Sequence, residues 1–231
     1  MATVGLTTPR EDAEKGSNMS TKFRSVLEVI AVHEAGHAVC VFHSEELPRV
    51  LAVTLSDHRG GGCTVLTELD AIELGPRAFH EGMRALCAGF LAEALAGGRP
   101  RFEGEDADKF LRTVKASATW RLMRAPAPTT RAAARVAIRR ALSAAEGQAR
   151  DAMRDAELLL RARWAEVELV ADRLLECGGM NSAFLESTIE RARRTPRPKV
   201  GDPERIFGLL SGFVGQNQEL EAALRQQLAM G

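Results

Sequence analysis

The stretch that most restricts this chain is Ala31-Val32-His33-Glu34-Ala35-Gly36-His37-Ala38, a His-Glu-x-x-His motif inside an apolar run. Residues four apart share one face of an α-helix, so His33 and His37 can aim imidazole nitrogens at a single ion. Glu34 is rotated by about 100° from His33 and stands beside that ion, where a general base for an activated water belongs. Val26, Leu27, Val29, Ile30 and Val32 precede the motif, and Val39, Cys40, Val41 and Phe42 follow it. A helix apolar on nearly every side is buried, and buried His-Glu-His needs a partner to offset its desolvation. A metal supplies one. A solvated surface helix with two histidines would not carry those flanks. The motif thus predicts a metal-binding helix in the core, with metal-assisted hydrolysis as its chemistry.

With 231 residues, the chain has material for one good core and a small appendage. Lys+Arg and Asp+Glu both number 31, so no net field marks nucleic acid or an acidic membrane as a general partner. No apolar run approaches the ~20 residues needed to span a bilayer, and residues 1–20 lack the apolar segment of a secretory signal. Cys40, Cys63, Cys87 and Cys177 lack metal-ligand spacing and read as reduced core residues of a cytoplasmic protein. The absence of Tyr and the wealth of Ala, Leu and Arg favour a mainly α fold.

In chain order, residues 1–22 read as a flexible leader, 23–194 as the folded domain, and 195–231 as a linker with an amphipathic tail. The first helix is expected over 22–46, stopping before Pro48. Strands over 50–56 and 63–66, joined by the glycine-rich turn at 57–62, predict a small β-hairpin. His58 at the tip of that turn reads as solvated. An amphipathic helix follows over 77–96, with Glu93 at the border of its apolar face. Glu93 is either a solvated edge residue or a carboxylate orienting a metal-ligand histidine. After an acidic loop, a helix runs to about 124, with its first acids as ordinary caps and dipole partners. Ala125-Pro126-Ala127-Pro128 breaks the chain, and one long helix is expected over 130–177. Its Ala/Arg-rich first half has little to bury, so it is expected to project or to pack on another subunit. A closing helix over 182–194 completes the domain, and 203–230 holds enough apolar residues for a small docking element.

The order of these pieces resembles the peptidase domain of the FtsH-type ATP-dependent zinc proteases. The likeness rests on His33-Glu34-Ala35-Gly36-His37-Ala38, the strand at 50–55, the Gly-turn strand Gly61-Gly62-Cys63-Thr64-Val65, and Leu86-Cys87-Ala88-Gly89-Phe90-Leu91-Ala92-Glu93-Ala94-Leu95. It extends diffusely to residue 194. It implies Zn²⁺ bound by His33, His37 and an aspartate, with Glu34 as general base on the zinc-bound water and Glu93 behind a ligand. In that family the aspartate lies four residues after a glycine at a helix start. Counting from Gly104 selects Asp108, with Asp106 as second choice because it shares a helix face with Phe110 and Val114. The family's signature around that aspartate is replaced by Gly104-Glu105-Asp106-Ala107-Asp108, and Phe90 and Ala94 stand where the family has Arg and a second Glu.

No Gly-x-x-x-x-Gly-Lys-Ser/Thr loop occurs in the chain, so the expected activity is an ATP-independent metalloendopeptidase acting on peptides or unfolded proteins. Thr64 and Val65 are the expected substrate-aligning strand, through addition of an extended peptide to the sheet edge. A separate ATPase partner and a homo-oligomer remain open partner expectations, without nucleic acid and without a membrane span. The competing reading is a catalytically inactive peptidase-like domain that regulates or assembles with another protein. The basic run at 191–194 lacks neighbouring aromatics for nucleic-acid stacking.

Overall fold

The computed structural model describes residues 25–47, 49–56, 61–66, 76–98 and 104–194. The expected leader over 1–22, the tail over 195–231 and His58 lie outside the described residues. The fold is mainly helical with a small antiparallel sheet: α1 Val26–Phe42, β1 Val50–Ser56, β2 Gly61–Leu66, α2 Pro76–Leu95, α3 Glu105–Arg124, α4 Arg131–Ala162, α5 Trp164–Cys177, β3 Gly179–Asn181 and α6 Ser182–Arg193.

Helix α1 starts at a capping box. Ser25 Oγ accepts from Glu28 N at 3.2 Å, and Ser25 N donates to Glu28 Oε2 at 3.1 Å. From Ala31 onward its apolar girth is covered by α2, α5 and both hairpin strands, whereas Val26 and Leu27 in the first turn stay exposed. It ends at Phe42, short of the expected 46. The cause is Glu81 of α2, buried and accepting from the backbone N–H groups of Glu45 (3.1 Å) and Glu46 (2.9 Å), which draws the chain off the helix axis. At the same end His43 Nε2 meets the buried Glu166 Oε2 of α5 at 2.6 Å, and Arg193 Nε of α6 lies 3.5 Å from Glu166 Oε1. That cluster ties α1, α5 and α6 together.

The hairpin forms as expected, with Val53 opposite Thr64 and Ala52 opposite Val65. A third strand, absent from the sequence reading, makes the order β2-β1-β3. Gly178 ends α5 with φ 71°, a left-handed conformation open to glycine at little cost. The chain then reverses alongside β1, with Met180 opposite Val53. Three residues are too short a run to announce a strand by alternation.

The expected single helix over 130–177 is two helices broken at Arg163, whose φ and ψ are −115° and 20°. No Pro or Gly marks the break. It follows from packing: Trp164, Val167, Val170 and Leu174 are buried where α5 leaves the line of α4 to cover α1. Nor does the Ala-rich half of α4 project as expected. Ile138, Ala141, Leu142, Ala145, Ala149 and Ala152 are buried where α4 packs on α2 and α3, because alanines let helix axes approach closely. Only residues 131–137 stay largely exposed.

Candidate metal centre

Three helices build the site. His33 and His37 stand one turn apart on α1, near its centre. Helix α2 crosses them at close range because Gly36 has no side chain: a Cβ there would lie 2.6 Å from Ala92 Cβ and 2.7 Å from the Ala88 carbonyl oxygen. Helix α3 starts at Gly104, whose φ of 89° turns the chain so that the first helical turn points an acid inward.

That acid is Asp106. Its Oδ2 lies 3.2 Å from His33 Nε2 and 3.2 Å from His37 Nε2, and the two Nε2 atoms are 3.0 Å apart. The expectation of Asp108 is therefore corrected for geometry. Asp108 is exposed, and the inward stripe of α3 is Asp106, Phe110 and Val114, the last two buried. Counting from the glycine points to the aspartate that faces away, whereas helix phase points to the one that converges.

The remaining imidazole nitrogens are both held by α2. His37 Nδ1–H donates to the Ala85 carbonyl at 2.7 Å, and His33 Nδ1–H donates to Glu93 Oε1 at 2.5 Å. Glu93 thus orients a histidine and is not a solvated edge residue. A carbonyl only accepts, so His37 must carry its proton on Nδ1, and Glu93 Oε1 as acceptor fixes His33 in the same tautomer. The two Nε2 atoms of the neutral rings are then lone pairs. Together with the Asp106 carboxylate they make three acceptors facing one point with no proton between them.

Such a cluster needs a cation. Without a metal the nearest substitute is a proton on His33. Burial alone would lower the pKa of that ring, but the hydrogen bonds it donates to Asp106 and Glu93 outweigh burial and hold the pKa up at about 9. Burial would likewise raise Asp106, yet the two imidazoles keep its carboxyl well below the usual carboxylate range. A metal ion fits the same place. Ligand atoms of a tetrahedral ion with bonds of about 2.0–2.2 Å stand about 3.2–3.6 Å apart, and the three donors here are within a few tenths of an ångström of that spacing. His33, His37 and Asp106 therefore form a group able to hold a metal ion.

Glu34, 6 % exposed, lies close enough for its charge to help hold His33 protonated, and it is no member of the ligand group. Phe90 closes one side, its ring edge-to-face with His33 at 5.0 Å between centroids. Thr64 and Val65 lie on β2, whose one strand neighbour among the described residues is β1.

One participant escaped the sequence reading. A Cβ on Gly89 would lie 2.5 Å from His33 Nε2 and 2.5 Å from His37 Nε2, so the space beside the donors exists only because residue 89 has no side chain. The signal was present: Ala85, Gly89 and Glu93 are four apart and share one face of α2. Among the described residues no helix is long and apolar enough to cross a membrane. No family model matches the chain, and no curated protein matches it. The chemistry of the site rests on its own geometry.

Proposed function

We propose that the chain is a zinc-dependent metalloendopeptidase that hydrolyses peptide bonds in peptides or unfolded proteins without ATP. The observation that carries this reading is the convergence of His33 Nε2, His37 Nε2 and Asp106 Oδ2, with buried Glu34 next to them. Two imidazoles and one carboxylate suit zinc, and a three-residue ligand set leaves a fourth position for chemistry. When bound, zinc supplies Lewis acidity that polarises a carbonyl and lowers the pKa of water towards ~7. Glu34 takes the proton of the attacking water and returns it to the departing amine. Glu93 and the Ala85 carbonyl hold the imidazoles in the tautomer and orientation that ligation requires. Among the described residues β2 pairs only with β1, and the backbone at Thr64 and Val65 on its other edge offers hydrogen-bonding groups to an extended substrate.

The resemblance to FtsH-type peptidase domains supports the same reading through the His33–His37 motif and Glu93. Unfolded substrates, a separate ATPase partner and self-association belong to this proposal, and so does a cytoplasmic setting, which suits the free Cys40, Cys87 and Cys177. The test is Glu34→Gln. Zinc content stays near one per chain while cleavage of casein or a fluorogenic peptide disappears. Cleavage at the native rate would remove Glu34 from the mechanism. Zinc binding with no cleavage by the native chain would favour the inactive, regulatory reading.

A further inference from the structure

The charge of this chain is unevenly laid out. Between Lys109 and Ala145 there are two lysines, seven arginines and no Asp or Glu. With a net charge of zero overall, this stretch carries +9 and the rest of the chain −9. The stretch is the outer part of the hairpin made by α3 and α4, and its far end stands clear of the core: residues 123–133 are exposed without interruption. No carboxylate lies within it; Lys109 at its start pairs with Glu105 at 2.8 Å, outside the stretch.

Apolar side chains sit among these cations. Met123 is 73 % exposed, Trp120 50 % and Val136 49 %, and the Arg124 guanidinium lies 4.3 Å from the Trp120 ring centroid. Scattered exposed apolar residues are ordinary, but Trp120 and Met123 on α3 and Val136 on α4 fall among the cations at one end of one hairpin, which makes that end a candidate contact surface. Nucleic-acid grooves stack successive bases on several aromatics, and here one ring is present with a guanidinium already over it. A cationic surface bearing Trp, Met and Val instead matches what lies in the interface of an anionic bilayer.

We infer that the tip of the α3–α4 hairpin, through Trp120, Met123, Arg124, Arg131, Arg135 and Val136, docks on an anionic lipid surface. The cations attract the headgroups, and the apolar side chains enter the boundary between headgroup and acyl chain. The helix rise places Asp106 about 27 Å from Arg124 along α3, so the metal centre stays off the surface and open to substrate in water. This surface is independent of the metal centre and stands or falls apart from the proposed peptidase activity.

The experiment is flotation of the full chain with phosphatidylcholine vesicles containing about 30 % phosphatidylserine, beside vesicles of phosphatidylcholine alone. Binding is expected only to the anionic vesicles and is expected to fall as salt is raised. The double variant Arg131→Glu/Arg135→Glu is expected to weaken it by about tenfold or more, with an unchanged helical circular dichroism spectrum. Should that variant fail to fold, Arg131→Gln with Arg135→Gln is expected to weaken binding in the same direction. Of the two tryptophans, Trp164 is buried, so a blue shift of emission on vesicle addition reports Trp120 and disappears in Trp120→Ala. Equal binding to neutral vesicles, or full binding by the charge variants, overturns the inference. So does binding to single-stranded oligonucleotide with none to vesicles, or a self-association by gel filtration that the charge variants abolish.

Discussion

The carboxylates of Asp106 and Asp108 are two residues apart and meet different surroundings. Asp106→Asn is expected to remove most of the bound metal, because a neutral amide cannot balance the cation, while Asp108→Asn keeps native stoichiometry. Elemental analysis of both purified variants checks this, and metal lost from Asp108→Asn alone would reverse the ligand assignment. His33 supplies a second prediction. Its pKa in the folded, metal-free chain is about 9 against an ordinary 6.5. A raised value means that the protonated ring stabilises the fold fully below about pH 6.5 and loses that contribution as pH rises through about 9. The urea midpoint of chelated protein is therefore expected to fall over that window, and the fall is expected to vanish in His33→Asn. Asp106 acts in the opposite sense: its depressed carboxyl adds stability that is present at neutral pH and lost on acidification.

Among the elements, α2 does more for the site than its lack of ligands suggests. Ala85 and Glu93 fix the two rings, and Gly89 between them leaves the clearance. Gly89→Ala is expected to lower bound metal at least about tenfold. Gly82→Ala on the same helix, where a Cβ meets nothing within 4 Å, is expected to bind as the native chain does. Equal metal in both variants would show that the rings move aside without cost. This helix also shows what could be read in advance. Its span and apolar face were legible from local periodicity and the hairpin from its glycine-rich turn, while α1 was legible from its motif and its apolar flanks but not at its C-terminal end, which Glu81 decides. The Glu93 contact needed the α1–α2 crossing, and that depends on Gly36 facing Ala88 and Ala92, a pairing no local pattern contains. The break at Arg163 was illegible for the same reason. Good helix formers run through it, and only the burial of Trp164 and Val167 against another helix decides it.

For the molecule as a whole, the metal ion would join helices that otherwise share little. Helix α3 packs on α2 and α4, and its link to α1 at the site runs through Asp106. Chelation is expected to raise amide hydrogen exchange in the first two turns of α3 while α5 keeps its protection, and added zinc is expected to restore it. Uniform exchange across all helices after chelation would mean that the centre supports the entire fold and not one docking.

The donors are separated by about seventy positions, two on α1 and one on α3, with α2 steadying both rings. During synthesis, α1 leaves the ribosome carrying a half-made centre, and the missing carboxylate arrives only after a further hairpin and helix. Two imidazoles and a carboxylate therefore cannot meet until α3 has reached α1 across α2, so the place able to hold an ion is made by tertiary assembly and by no local segment.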